Sequence, residues 1–318
     1  MDAIGGYFGF ENNAKKGTHF HDSPYLLDCG RTALEVILST TKPKKIYVPY
    51  YTCNALLEPL EKSNIPFSFY AINEALEIAD KLTVKQNEYI IYINFFGIKD
   101  SYCKQLIKDY SNQLILDNTM AFFFKHKVPY WGFNSCRKFF AVPDGAYLQS
   151  PVAVAEKLLP KIINDKLNTN FLFLRNENLV EQGYQYFLKN EECFGKGIYK
   201  MSNYSTEVLT HLNYKSLIQK RNDNFSFLHH YLSGSNTINS NLFSSADCAM
   251  FYPYLPKKKI VHKLFWDEKI FIPKLWTDCD GRTDGYSWEK KLSVSLLPLP
   301  VDHRYNEDDL KSILKLIL

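Results

Sequence analysis

Leu114-Ile115-Leu116-Asp117 is an apolar run closed by a carboxylate. Downstream of it stands Phe133-Asn134-Ser135-Cys136-Arg137-Lys138-Phe139-Phe140-Ala141-Val142-Pro143-Asp144-Gly145-Ala146-Tyr147-Leu148. The first run reads as a buried strand that delivers Asp117 to its carboxyl end. The second puts a lysine beside two aromatic residues that shelter it, with Ser135 and Arg137 as nearby donors. Working outward, β-rich runs at 25–28, 45–48, 67–70, 89–94, 114–117 and 145–149 alternate with helical periodicity at 32–39, 52–62 and 100–110. Such alternation predicts βαβ units and a mainly parallel sheet flanked by helices.

Beyond residue 151 the pattern turns helical, and 207–232 reads as one long, polar-faced helix. Turn formers at Ser233-Gly234-Ser235-Asn236 then divide the chain into a large α/β domain, 1–232, and a small carboxyl-terminal α+β domain, 233–318. The second contains short β-like runs at 249–254 and 270–273 and a closing helix over 306–318.

Composition narrows the function classes. A chain of 318 residues that is 46% hydrophobic can bury a full core. Its net charge of +4 is too mild, and its basic residues too scattered, for a nucleic-acid footprint. Seven cysteines without C-x-x-C spacing fit neither a disulfide scaffold nor a structural zinc site. The amino terminus lacks a signal-peptide pattern, and the apolar run at 89–98 is shorter than the roughly 20 residues a membrane helix needs. A cytoplasmic protein with no membrane or nucleic-acid partner is expected.

A strand-end aspartate and a sheltered lysine together are what pyridoxal phosphate chemistry requires. The amine forms an imine with the cofactor aldehyde, and a carboxylate keeps the pyridine nitrogen protonated so that the ring withdraws electrons. Cys29-Gly30-Arg31-Thr32 follows the first of these strands and opens a helix, where free N–H groups favour a phosphate and glycine permits close approach. Each feature alone has an ordinary explanation: a turn and cap at Gly30, a helix cap at Asp117, a surface amine at Lys138.

In order, Gly30-Arg31-Thr32-Ala33-Leu34, Pro49-Tyr50-Tyr51-Thr52, Asn94-Phe95-Phe96-Gly97, Asp117-Asn118-Thr119-Met120-Ala121, Ser135 to Lys138 and Asp144-Gly145-Ala146 resemble the DegT-type nucleotide-sugar aminotransferases. The resemblance continues more faintly to Leu299-Pro300-Val301-Asp302-His303-Arg304-Tyr305. It implies a fold-type I pyridoxal phosphate enzyme with a seven-stranded sheet, and a homodimer with active sites at its interface. It further implies an amine transfer from glutamate to a keto sugar nucleotide, in surface-polysaccharide or amino-sugar biosynthesis. Lys138 then resembles the cofactor-linked lysine and proton shuttle, and Asp117 the partner of the pyridine nitrogen. Gly30, Arg31 and Thr32 would form the phosphate loop, with Ser135 a further donor.

Three positions depart from that pattern. Cys53 occupies the place of the ring that stacks on the cofactor, which leaves Tyr51 as the candidate. Met120 stands where Gln or His would bond the cofactor's phenolic oxygen. Ile198-Tyr199-Lys200-Met201 lacks the asparagine that reaches the partner's phosphate. A sugar dehydratase would carry histidine in place of Lys138, whereas a binding or regulatory protein on the same fold remains an alternative. Among other signals, Gly5-Gly6-Tyr7-Phe8 resembles a segment near the substrate, and Arg282 and Arg304 are candidates to clamp a donor carboxylate. His19-Phe20-His21-Asp22 reads as a solvated loop rather than a metal site.

Overall fold

The computed structural model describes residues 2–11, 17–239, 242, 248–282 and 287–318. In chain order the elements begin with β1 (Ile4–Gly5), β2 (Tyr25–Leu27), α1 (Gly30–Thr41), β3 (Lys45–Pro49), α2 (Asn54–Lys62) and β4 (Phe67–Tyr70). Next come β5 (Glu88–Ile93), α3 (Asp100–Tyr110), β6 (Leu114–Asn118), β7 (Trp131–Asn134) and β8 (Ala146–Gln149). Helices α4 (Asn170–Asn176), α5 (Val180–Glu191), α6 (Asn203–Thr210) and α7 (Tyr214–Leu232) follow, then β9 (Phe251–Tyr254), α8 (Lys263–Asp267), β10 (Ile270–Phe271), α9 (Ser287–Ser295), β11 (Leu297–Pro300) and α10 (Glu307–Leu314).

Seven strands form the central sheet in the order β2-β8-β7-β6-β5-β3-β4. The β3–β4, β3–β5, β5–β6 and β6–β7 pairs are parallel, and β8 runs antiparallel to both β7 and β2. This is the mainly parallel sheet that the alternating pattern predicts. Its middle is dry: Ile90 to Ile93 and Leu114 to Leu116 are at most 1% exposed. Truncating one of these isoleucines to alanine would cost about 2–5 kcal/mol. Unanticipated is β7, which sits between β6 and β8. Gly132 between Trp131 and Phe133 weakens its strand signature, and the pairing on both edges supplies what local propensity lacks.

The expected long helix over 207–232 is two helices. Ser202 accepts from the Ser205 N–H to start α6, and Asn213 accepts from the Ser216 N–H to start α7. Both side chains compete with the helical backbone and act as caps, so the chain breaks at 211–213. At the carboxyl end, Asn306 and Asp309 form a reciprocal capping box at the start of α10.

A second core gathers Leu228 and Leu232 of α7 with Tyr252, Ile270, Leu299 and Ile313. Ile4 joins it, because β1 pairs in parallel with β10 while β11 pairs antiparallel with β9. The amino-terminal segment is thereby stitched into the carboxyl-terminal part. Gly5 is obligatory in that stitch: its φ is +76°, and a Cβ there would collide with the Phe271 carbonyl.

Candidate functional site

Ligands of open α/β sheets sit beyond the carboxyl ends of the strands, and the residues of interest converge there. Asp117 lies at the end of β6, 5% exposed, with one oxygen accepting from the Thr119 N–H at 2.8 Å. Lys138 ends the 3-10 turn Cys136–Lys138 directly after β7 and Ser135. Register brings the two strand ends together, since Asp117 pairs with Phe133 and Asn118 with Asn134, and the turn that follows carries Lys138 close enough for its charge to act on Asp117. Burial pushes the Asp117 carboxyl above its usual range, and the Lys138 charge and the Thr119 hydrogen bonds oppose that rise.

The start of α1 abuts the same strand ends. A Cβ at Gly30 would lie 3.1 Å from the Phe133 ring and 3.3 Å from Thr119 Cγ2, so any side chain there would have to push these neighbours aside by a few tenths of an ångström. Cys29 at the N-cap makes no side-chain cap bond, and the first turn holds no acidic residue. Its N–H groups are left for an anion. Ser135, 3% exposed, likewise makes no cap hydrogen bond.

Other candidates are used differently. Arg31 pairs with Glu58 at 2.7 Å, and the Thr32 hydroxyl lies 3.6 Å from Cys29 Sγ. Tyr51 is fully buried, edge-on to Trp276 at 4.5 Å and beside Phe95 at 6.0 Å. Among the described residues no ring contact or hydrogen bond joins it to Lys138 or Asp117. Cys53, two residues on at the N-cap of α2, is the member of that segment that feels both charges; burial pushes its thiol up, Lys138 lowers it and Asp117 raises it. Met120 is packed in the main core. Asp144 is an anchor: it accepts from the Ser202 N–H at 2.8 Å, from the Ser202 hydroxyl at 2.6 Å and from Ser205. The 198–201 segment is stitched in-chain, with Tyr199 accepting from the Asp28 N–H and Met201 donating to Leu26.

A cavity of about 610 Å³ opens over Lys138. Gly5, Gly6, Tyr7 and Phe8 form one side of it. Arg175 fixes this strip by donating to the carbonyls of Ala3 at 2.6 Å and Gly5 at 2.9 Å, and Arg304 donates to Tyr7 at 2.9 Å. Tyr184, Phe187, Trp266 and Phe271 make much of the wall apolar. Arg304 pairs with Asp302 at 2.7 Å and lies 3.9 Å over the Phe8 ring. Arg282 is elsewhere, donating to the Thr52 carbonyl at 2.8 Å and to Asn54. Arg137, expected as a donor beside Ser135, lines the cavity and pairs with Glu191. Two further cavity arginines, Arg175 and Arg221, had no signal in the sequence, because they arrive from separate helices.

The His19–Asp22 loop is partly buried, contrary to expectation. His21 is 6% exposed, its Nε2 lies 2.6 Å from the Phe122 carbonyl, and burial lowers its pKa to about 4. Among the described residues no group of His, Cys, Asp or Glu could hold a metal, all seven cysteines are free, and no helix is long and apolar enough to cross a membrane.

No family model and no curated protein sequence matches the chain. Solved structures do. The Helicobacter pylori aminotransferase PseC, involved in the biosynthesis of pseudoaminic acid, is 12% identical, with a TM-score of 0.65 over 99% of this chain and 98% of PseC. A DegT DnrJ EryC1 StrS aminotransferase from Brucella abortus is 14% identical, with a TM-score of 0.57 over 92% of this chain and 84% of its own. The sugar aminotransferase Spr1654 of Streptococcus pneumoniae, in its PMP form, is 13% identical, with a TM-score of 0.59 over 93% and 86%. The chain has the fold of the fold-type I sugar aminotransferases.

Proposed function

We propose that the protein is a pyridoxal-phosphate-dependent aminotransferase that moves an amine from glutamate to a keto sugar carried on a nucleotide. The observation that carries this reading is the convergence of Lys138, Asp117 and the uncapped start of α1 at the ends of β6, β7 and β2. The donor set suits the cofactor. Asp117 is a buried carboxylate for a pyridine nitrogen, α1 and Ser135 offer donors for a phosphate, and Lys138 Nζ makes no hydrogen bond or ion pair among the described residues. Bound pyridoxal phosphate supplies an aldehyde that links to amines and a ring that withdraws electrons from the adjoining carbon.

Lys138 Nζ would hold the cofactor and then carry a proton between the substrate carbon and the cofactor carbon. Asp117 would hold the proton on the ring nitrogen, and its burial strengthens that contact. Cys53 would lie where relatives place a ring, so the cofactor would be held more by its two polar ends than by stacking. The same reading includes a homodimer, a cytoplasmic location, a role in surface-polysaccharide or amino-sugar biosynthesis, and a division of the chain near residue 232 in which α7 serves both cores.

A binding or regulatory protein without transfer activity is the second reading. It is favoured by Met120, which is buried in the core and offers no hydrogen-bond donor. A dehydratase is disfavoured by Lys138. Purified protein mixed with pyridoxal phosphate should turn yellow, and glutamate should bleach the visible band. A band that no amino acid bleaches would favour the second reading.

A further inference from the structure

We propose that the segment from Pro256 to Lys274 docks the protein on an anionic lipid surface, with the mouth of the cavity over Lys138 turned toward it. Such docking needs nothing from the aminotransferase reading, and it replaces the expectation of no membrane partner. Within this segment six lysines, Lys257, Lys258, Lys259, Lys263, Lys269 and Lys274, outnumber the two acids, Asp267 and Glu268, by four, which equals the formal charge of the whole chain. The rest of the chain is neutral in sum. All six lysines are exposed; Lys263 pairs with Asp267 at 2.6 Å, and among the described residues the other five have no ion-pair partner.

Basic residues alone would describe a solvated turn, but apolar side chains stand among these. Val261 and Leu264 are 57% and 52% exposed and one turn apart, since the Leu264 N–H donates to the Val261 carbonyl at 3.1 Å. The core does not need them. Phe265, Ile270 and Ile272, at most 1% exposed, already seat the segment on the second core, and β10 is tied to β1. Trp266 is 43% exposed, with Nε1 donating to the Ile272 carbonyl at 3.4 Å and the Lys274 amine 5.3 Å from its ring centroid. An indole beside lysines suits the headgroup layer, where the ring meets lipid and the amines meet phosphate.

Charge and apolar exposure together select the occupant. Clustered lysines are drawn to anionic headgroups over about a Debye length, roughly 10 Å at 0.1 M salt, and exposed aliphatic groups then gain by leaving water for the acyl boundary. An acidic polypeptide would use the charge and leave Val261 and Leu264 wet. The same segment supplies Trp266, Phe271, Ile272 and Pro273 to the cavity wall, which it shares with Tyr184, itself 46% exposed. Docking through it therefore sets the rim of the cavity at the lipid surface.

Flotation of the full chain with vesicles tests this, using phosphatidylcholine alone and phosphatidylcholine mixed with phosphatidylglycerol. Binding to the anionic vesicles should be at least about tenfold tighter, and should weaken as salt is raised to 1 M, where the Debye length is about 3 Å. The triple variant Lys257→Gln, Lys258→Gln, Lys259→Gln should lose at least about tenfold in affinity. As a control, Lys42→Gln, Lys44→Gln, Lys45→Gln removes the same charge at the amino end of β3, the end opposite the site, and should lose less than about threefold. Val261→Ser with Leu264→Ser, which leaves the charge untouched, should also weaken binding, with the urea midpoint unmoved. A parent protein without preference for anionic vesicles would overturn the docking, as would equal losses in the two lysine variants or unchanged affinity in the serine variant. Polyglutamate bound as tightly as the vesicles, with the serine changes making no difference, would assign the surface to an acidic protein instead.

Discussion

The strand-end cluster and the arginine-lined cavity meet at Lys138 but are built in opposite ways. Asp117, Ser135 and Lys138 lie close in the chain and are aligned by the pairing of β6 with β7. The cavity instead draws Gly5–Phe8, Arg175, Arg221 and Arg304 from across the whole chain. On the proposed function the first region would carry chemistry that any substrate needs, and the second would carry selectivity. Local sequence encodes chemistry because strand ends repeat from one protein to the next, while selectivity depends on which distant segments the fold brings over them.

The comparison breaks most sharply at Lys138. Lys138→Ala should lower amine transfer by roughly 10²–10⁴-fold, the range for loss of a positioned proton carrier, as measured by single-turnover kinetics at saturating donor. An activity close to that of the unaltered protein would move the chemistry away from the strand ends.

On the cavity side, Asp302→Ala should destabilise the protein by about 3 kcal/mol, because it strands Arg304 as a buried charge. Burial alone would raise the Asp302 pKa, but Arg304, with Arg221 and His303, holds it at about 2. Since the folded value lies below the unfolded one, the pair's contribution is complete above about pH 4 and fades progressively as pH falls from there through about 2. Urea melts of Asp302→Ala and the parent at pH 7 and pH 3 should show the gap narrowing at the lower pH.

A smaller effect sharpens the strand-end side. Asp28, just before α1, is fully buried, and burial, with Asp144 adding to it and Thr32 and Cys29 opposing it, lifts its pKa to about 6. The folded value exceeds the unfolded one, so the protonated acid contributes stability below about pH 4 that is lost as pH rises through 6. Asp28→Asn should thus gain on the order of 2–3 kcal/mol relative to the parent between pH 4 and pH 7. Parallel pH dependences of the melting temperature in the two proteins would contradict this.

Least is expected of Cys53. Burial keeps its thiol neutral, which argues against a nucleophile. Cys53→Ser should change the transfer rate by less than about tenfold, the equivalent of 1.4 kcal/mol; a collapse in rate would make the thiol a participant.

Much of the sheet could be read before the fold was known, because β5 and β6 are apolar runs bounded by turns and α3 keeps its helical spacing from Asp100 to Tyr110. β7 escaped because glycine interrupts it and its partners, not its residues, make it a strand. The 207–232 stretch misled because periodicity continues across 211–213, where side-chain caps rather than apolar spacing set the break. Within the candidate site the positions were legible: Asp117 closes an apolar strand, and Lys138 stands half-buried beside Phe139. Tyr51 misled for a geometric reason: it is a core ring against Trp276, and the chain reaches the site two residues later. Arg221 gave no signal, since a helical arginine looks the same whether it faces solvent or fills a cavity.

The most direct test is reduction of the pyridoxal-phosphate-treated protein with borohydride, followed by peptide mass mapping. The cofactor's mass should appear on the Lys138 peptide and be absent from the Lys138→Ala protein. A fully occupied protein whose Lys138 peptide is unmodified would contradict the account.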